Sequence, residues 1–554
     1  MSTTSPTGPA LRAQIDAWLA DDPDPADRAE LATLLARWPA SEPELADRFA
    51  GPLRFGTAGL RGPMRAGPNG MNLAVVRAAA AGLVRWLADQ GATGPLVIGY
   101  DARHGSRQFA DQTARVATGA GRPALLLPRP LPTPVLAHAV RALSAAAGVM
   151  VTASHNPPTD NGYKVYLGPA LGGEIGAGAQ IAEPTDREIE AAIRAVGPLS
   201  QIPLGPPGTV LDDQVLRSYL AGAVSILDPR GPRTLTVAYT PLHGVGAEMF
   251  TTALTRAGFP APVVVPTQAE PDPAFPTVRF PNPEEPGAMD QLLELAAARE
   301  ADLAIAHDPD ADRCAVAVPE PAGGWRVLTG DEVGVLLADY LIRRGVPGRF
   351  ATTVVSSSML RALCAARGVP YGETLTGFKW IVRADPELAY GYEEALGYCV
   401  APDLVRDKDG ITAALVVCEL AAQLRAEGRT LLGRLDELAA EFGVYATAQV
   451  SVRFTALTEL TRAMSRFRAA PPDRLLGQPV QSVTDRLPEA DVLTLRADSC
   501  RVVVRPSGTE PKLKAYLEVI EPVTGADQVA AARQRATQTL TRLRTELAAL
   551  LPTS

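Results

Sequence analysis

The chain has 554 residues, 46% of them apolar and 21% charged, and a formal net charge of −8. At roughly 100–200 residues per domain, that length implies three to five domains rather than one core. The acidic balance excludes a general nucleic-acid binder, which needs a basic surface, but admits a phosphorylated small molecule gripped by a local cluster of Arg, Lys and backbone N–H groups.

In chain order, residues 1–50 read as a helical preface. Within it the acids of DDPDPADRAEL (21–31) suit a helix N-terminus rather than a metal. The N-terminus lacks a basic region followed by an apolar run, and no apolar stretch is long enough to span a bilayer, so a cytoplasmic protein with no membrane partner is expected. LAVVRAAAAGLVRWLADQG (73–91) reads as a helix closed by Gly91, and LVIGY (96–100) and GVMVTA (148–153) as buried strands. The same rhythm returns at TLTVAYT (234–240), DLAIAHD (302–308) and ATTVVSSS (351–358), which implies α/β layers with largely parallel pairing. Pro- and Gly-rich stretches at 197–210 and 319–324, and a change to strand-like sequence near 445, mark domain joints. The last segment, strands followed by DQVAAARQRATQTLTRLRTELAALL, reads as α+β. Five scattered cysteines without a C-x-x-C pair signal neither zinc nor a disulfide framework, and buried free thiols are expected.

Three segments carry candidate chemistry. TASHNPPTDNGYKVY (152–166) follows a buried strand, so Ser154 is expected on an exposed loop at a strand's C-terminal edge, where open α/β sheets place ligands. A plain turn is the reading of such a loop in isolation. A Ser/His hydrolase is disfavoured, because neighbours in an extended chain point opposite ways and no G-x-S-x-G elbow is present. In AIAHDPDADRCAVAV (304–318), Asp308, Asp310 and Asp312 at spacing two are expected to share one side of an extended chain and converge on a hard cation such as Mg²⁺, bound at about 2.0–2.1 Å. An EF-hand fails, since Arg313 stands where Gly is needed and Pro319 where Glu is needed. In VVVRPSGTEPKLKAYLEV (502–519), Arg505, Ser507, Gly508, Thr509 and Lys512 form a loop able to grip a phosphate.

Together these segments resemble the α-D-phosphohexomutase superfamily, in the order GTAGLRG (56–62), TASHNPP, DPDADR, TGFKW (376–380), EEALG (393–397) and RPSGTEPK (505–512). TGFKW, GYEEALGY (391–398) and DKDG (407–410) are most similar to the branch containing phosphoglucomutase-2 and bacterial phosphoglucomutases of that type. The resemblance implies four domains around a central cleft, three α/β with mixed sheets and a C-terminal α+β domain. We place these at 51–212, 213–325, 326–445 and 446–554. It implies that Ser154 carries a phosphoryl group and holds Mg²⁺ with Asp308, Asp310 and Asp312. Arg61 and Lys164 match positions that assist proton transfer and charge stabilisation, and His155 a residue beside the nucleophile. Glu393 matches the glutamate that holds sugar hydroxyls, and Gly377 and Lys379 a loop that reads the sugar. Arg313 joins the substrate-binding set. One departure is Ala395, where many hexose-specific relatives carry Ser.

The implied activity is reversible interconversion of hexose 1- and 6-phosphates, with glucose ahead of mannose, through a phosphoserine and a sugar bisphosphate that also serves as activator. Lys164 or His155 would take the attacking hydroxyl's proton. The alternatives are a phosphopentomutase, a glucose 1,6-bisphosphate synthase, a Mg²⁺-dependent phosphatase and a silent sugar-phosphate binding protein.

Overall fold

The computed structural model describes residues 7–56, 58–455, 457–507 and 512–551. Three helices, Gly8–Asp21, Pro25–Ala36 and Glu42–Arg48, open the chain. They bury Leu11, Ile15, Leu31, Leu34, Leu45 and Phe49 together. Asp24 caps the second helix by accepting from Ala26 N at 2.9 Å, so the acidic run there serves a helix terminus.

The first sheet has six strands in the order Leu60–Pro63, Asp160–Leu167, Ala147–Val151, Leu96–Tyr100, Ala124–Leu126 and Thr209–Val210. Leu96–Tyr100 runs parallel to both its neighbours. Asp160–Leu167 turns back antiparallel between Ala147–Val151 and Leu60–Pro63. The sheet is therefore mixed rather than largely parallel, because the short loop after Val151 reverses the chain instead of crossing over through a helix. Helix Leu73–Asp89, capped by Asn72, lays Leu83, Trp86 and Leu87 on a core that includes Ile98, Val149 and Tyr163.

The second sheet runs Trp325–Val327, Cys314–Pro319, Leu303–His307, Val237–Thr240, Val263–Val264. Its centre is parallel, and the pair Leu303–His307 and Cys314–Pro319 is antiparallel. A third sheet of four strands includes the parallel pair Arg349–Thr353 and Tyr371–Thr374. The strand expected through 358 stops at Thr353, where Ser356 N donates to Thr353 Oγ1 at 3.2 Å and starts a turn. The fourth sheet is wholly antiparallel, in the order Val444–Arg453, Lys512–Glu521, Cys500–Pro506, Leu493–Arg496, Ser482–Asp485, with helix Val529–Leu550 packed on it. This is the expected architecture of three α/β domains and a final α+β domain.

The chain divides into two compact units. The first comprises residues 1–328, 378–390 and 397–423, and the second 329–377, 391–396 and 424–554. All five cysteines are buried and free. Among the described residues no helix is long and apolar enough to cross a membrane.

Candidate active site

Ser154 lies beyond strand Ala147–Val151, which is buried at every position. It adopts a left-handed backbone, φ 52°. That conformation costs an L-residue roughly 1–2 kcal/mol. Ser154 N donates to Thr152 Oγ1 at 2.9 Å, a local bond that helps to hold it. Two expectations are corrected here. Ser154 is only 2% exposed. Its hydroxyl also lies 3.2 Å from His155 Nδ1, because the positive φ breaks the alternation of an extended chain and turns both side chains to one side. Ser154 Oγ donates to Asp308 Oδ2 at 2.8 Å.

Asp308 to Asp312 join the antiparallel strands Leu303–His307 and Cys314–Pro319. The segment is a turn rather than the extended chain expected. Ala311 has φ 51°, and its N–H donates to Asp308 O at 2.8 Å. The three carboxylates converge all the same, one oxygen of each within 4.8 Å of the others. Two glycines permit this close packing. A Cβ on Gly410, which starts helix Gly410–Ala426, would stand 2.3 Å from Arg313 O, and one on Gly244 would stand 2.3 Å from Pro309 Cα.

The triad's oxygens divide into two sets. Asp308 Oδ1 accepts from Arg313 N at 3.1 Å. Asp310 Oδ2 accepts from Lys164 Nζ and Thr133 Oγ1, each at 2.7 Å, and Asp312 Oδ2 accepts from Lys164 Nζ at 3.0 Å. Lys408 Nζ stands 3.4 Å from Asp312 Oδ2. Asp310 Oδ1 and Asp312 Oδ1 are buried without a hydrogen-bond partner. Buried carboxylate oxygens left so are costly unless a cation meets them, and an all-oxygen donor set suits Mg²⁺. The residues fit a divalent ion.

Burial, reinforced by Asp310 and Asp312, pushes the Asp308 carboxyl well above its usual range. Burial opposes ionisation of Asp310 as well, but Lys164 outweighs it and holds that group low. Asp312, raised by burial and by Asp310, is brought below its ordinary value by Lys164, Lys408 and Arg313.

Register explains how the basic residues arrive. Lys164, on the strand that follows the serine loop, pairs across with Met150, and Arg61, on the edge strand beside it, pairs with Gly162. Arg61 Nη1 donates to Asn156 Oδ1 at 3.4 Å. Burial would lower the Lys164 ammonium, but Asp310 and Asp312 prevail and raise it, so it stays charged. Burial, with Arg313 and Arg61 adding to it, drops His155 well below its ordinary value and keeps the imidazole neutral. Arg313 Nε lies 3.9 Å from Asp308 Oδ2 and 3.8 Å from Asp312 Oδ1.

The sugar and phosphate candidates fall in several places. Lys379 belongs to the first unit, its ammonium 5.3 Å from the centre of the Trp380 ring and lowered by burial to about 8. Gly377, φ 115°, belongs to the second. So do Glu393, which ends strand Leu388–Glu393, and the half-buried Ala395. Beside Glu393, Glu394 Oε2 accepts from Ser356 Oγ at 3.0 Å, and burial followed by Glu393 and Asp331 raises its carboxyl to about 7. Arg505 and Lys512 stand on the antiparallel strands Cys500–Pro506 and Lys512–Glu521, and Ser507 N donates to Lys512 O at 2.7 Å. Gly508 and Thr509 lie outside the described residues.

Four successive segments match the alpha/beta/alpha domains I, II and III and the C-terminal domain of phosphoglucomutase/phosphomannomutase, over residues 52–198, 217–323, 329–442 and 461–535. The chain belongs to the phosphoglucomutase/phosphomannomutase family. A probable phosphomannomutase of Haemophilus influenzae is 45% identical over 457 residues, covering 81% of this chain and 93% of that one. A probable phosphoribomutase of Schizosaccharomyces pombe is 34% identical over 562 residues, covering 92% and 94%. The fold is shared with a crystal structure of a phosphoglucomutase/phosphomannomutase family protein from Burkholderia thailandensis, with a TM-score of 0.68, 18% identity, and coverage of 88% of this chain and 97% of that one.

Within this family member, three residues complete the serine and aspartate site that motif reading passed over. Thr133 fixes Asp310 from a helix start, Lys408 reaches Asp312, and Arg103 lies behind the serine loop. Lys408 alone had a visible signal, its place in DKDG between two acids. Thr133 and Arg103 are remote in sequence and sit in ordinary surroundings.

Proposed function

We propose that the chain interconverts the 1- and 6-phosphates of a hexose, glucose first and mannose next, through a phosphoserine at Ser154 and a sugar bisphosphate that turns over within the site. The observation that carries this reading is the Ser154 hydroxyl 2.8 Å from Asp308, in a buried triad whose other two acids each keep one oxygen without a donor. Binding alone needs no such nucleophile. Asp308, Asp310 and Asp312, with the phosphorylated Ser154, would hold Mg²⁺, which supplies a Lewis acid and a counter-charge.

The remaining work is positioning and charge. Arg505, Ser507, Gly508, Thr509 and Lys512 grip the phosphate already on the sugar, while Glu393, Gly377, Lys379 and Arg313 hold and read the sugar. As the phosphoryl group leaves Ser154, the attacking hydroxyl's proton must end on Oγ. His155 Nδ1, 3.2 Å from that oxygen and neutral, is placed to relay it. Lys164 is committed to two aspartates and acts as a fixed charge, and Lys408, 3.4 Å from Asp312 Oδ2, adds a second cation to the same cluster. A sugar 1,6-bisphosphate would re-phosphorylate Ser154 after any loss and so act as activator. The five buried free thiols suit a cytoplasmic, reducing setting.

The missing hydroxyl at Ala395 favours one second reading, a pentose 1-phosphate/5-phosphate mutase. A comparison of kcat/KM on glucose, mannose and ribose 1-phosphates, with Mg²⁺ and a bisphosphate present, tests the substrate. Ser154→Ala tests the chemistry: undiminished turnover refutes it. Net accumulation of bisphosphate would make the protein a synthase, and release of free phosphate a phosphatase.

A further inference from the structure

Arg103 follows the strand Leu96–Tyr100, and its side chain and that of Asp101 are each 1% exposed. Its guanidinium faces the inner side of the serine loop. Nη2 donates to Ser154 O at 2.5 Å and to Asn156 O at 2.6 Å, and Nη1 donates to Pro157 O at 2.8 Å and to Asp160 O at 3.2 Å. One side chain thus binds four carbonyls across residues 154–160. The loop's backbone bonds to itself in this stretch are few, Asn156 N to Ala153 O and Asp160 N to Pro157 O.

The guanidinium is itself held on the remaining sides. Nε lies 3.4 Å from Asp101 Oδ2, an ion pair without hydrogen-bond geometry. Asp101 Oδ1 accepts from Arg103 N at 3.0 Å and from Ser106 Oγ at 2.6 Å. The Phe275 ring covers the guanidinium carbon, 4.9 Å from the ring centre.

A buried arginine is ordinarily a fold anchor. What sets this one apart is that its acceptors begin with the carbonyl of the proposed nucleophile, Ser154, and continue through the loop that follows it. That residue holds a positive φ without being glycine, so its Oγ direction depends on what pins the loop. A planar fork with five N–H donors can span four carbonyls, which a lysine ammonium on one nitrogen cannot.

We propose that Arg103 is a positioning residue for phosphoryl transfer: by fastening the carbonyls of residues 154, 156, 157 and 160 it aims the Ser154 oxygen at the Asp308 side and keeps the seryl phosphate out of reach of water. The inference rests on the phosphoserine reading given above. When the loop slackens, the competing reaction is hydrolysis. Water attacks phosphorus, the P–Oγ bond breaks, free phosphate leaves, and Oγ takes back a proton.

The test uses the full chain with Mg²⁺, glucose 1-phosphate and glucose 1,6-bisphosphate, and compares wild type, Arg103→Lys and the milder Asp101→Asn. Isomerisation and free phosphate are measured together, and phosphate on Ser154 is counted by mass spectrometry so that rates refer to competent molecules. Arg103→Lys is expected to lower kcat at least about tenfold, in line with the sensitivity of such chemistry to misplacement of about 1 Å. KM should move less than threefold by comparison, and phosphate released per isomerisation should rise. Asp101→Asn should move both quantities in the same direction by less, and it decides the matter if Arg103→Lys does not fold. An unchanged ratio of hydrolysis to isomerisation would overturn the inference, since a purely structural arginine lowers both rates together. A wild type that neither isomerises nor carries phosphate on Ser154 would instead overturn the functional reading.

Discussion

Replacing Lys164 by Met separates the charge of the aspartate cluster from its packing. The ammonium is 4% exposed and lies 2.7 Å from Asp310 Oδ2 and 3.0 Å from Asp312 Oδ2, both on carboxylates no more than 1% exposed. Without it Asp310 Oδ2 keeps the Thr133 hydroxyl, and Asp312 Oδ2 keeps Lys408 at 3.4 Å. Removing one partner of a buried ion pair costs about 3–5 kcal/mol, because the other charge is left uncompensated. A cation on the same carboxylates replaces that compensation, and a ligand at 100 times its dissociation constant adds about 2.7 kcal/mol. The variant is therefore expected to lose about 3–5 kcal/mol in chelator and clearly less in saturating Mg²⁺.

All five tryptophans, at 18, 38, 86, 325 and 380, fall in the unit that holds this cluster, so their fluorescence during urea unfolding reports on it directly. Lys164 has its folded pKa raised above 10.5, so its stabilising effect is complete below that value and is lost only as pH rises through the folded value. The gap between wild type and variant should then be constant from about pH 6 to 9. A gap that is equal with and without Mg²⁺ would refute the argument that these carboxylates bind the cation.

Three further outcomes are expected. Gly410→Ala puts a Cβ 2.3 Å from Arg313 O and 2.9 Å from Ala311 O, so the aspartate turn must shift. The Mg²⁺ concentration for half-maximal activity should rise at least about tenfold, given what a shift of about 1 Å costs. Glu394 has its carboxyl raised to about 7, so the folded state binds the extra proton and stability falls as pH rises from the ordinary glutamate value of 4.5 through 7. In Glu394→Gln, unfolding free energies from urea titrations at pH 5 and 8 should differ less than in wild type, by about 1–2 kcal/mol for a half-buried group. Arg501, in the second unit, donates to Val354 O at 3.1 Å and Ser356 O at 2.5 Å, and lies 3.1 Å from Glu518 Oε2. Arg501→Met should cost about 3–5 kcal/mol and speed amide exchange at Ser358, whose N–H donates to Glu518.

The α/β class, the helix at 73–89, the strands around 96–100, 147–151 and 303–307, and the identity of the serine and aspartate loops were legible in the chain itself. Apolar periodicity sets which faces are buried, and prolines, glycines and clustered acids interrupt it at the loops. Legibility failed where one dihedral decides direction. Ser154 at φ 52° and Ala311 at φ 51° are non-glycine residues with no local mark of a left-handed turn, so an extended chain was the natural expectation at both loops. The expected exposure of Ser154 failed for a related reason, since burial there depends on Asp308 arriving from 154 residues away.

The sequence by itself determined the chemical inventory: one serine in a stiff loop, three acids at spacing two, a basic S-G-T loop, and a fold class. Tertiary structure alone decided which oxygens of the triad are occupied by Lys164, Thr133 and Ser154 and which are left without a donor, and that Arg103 stands behind Ser154. Those contacts join residues 50 to 180 positions apart. Periodicity and propensity act over a few residues, whereas such pairings are fixed only when strand register brings the separate segments together.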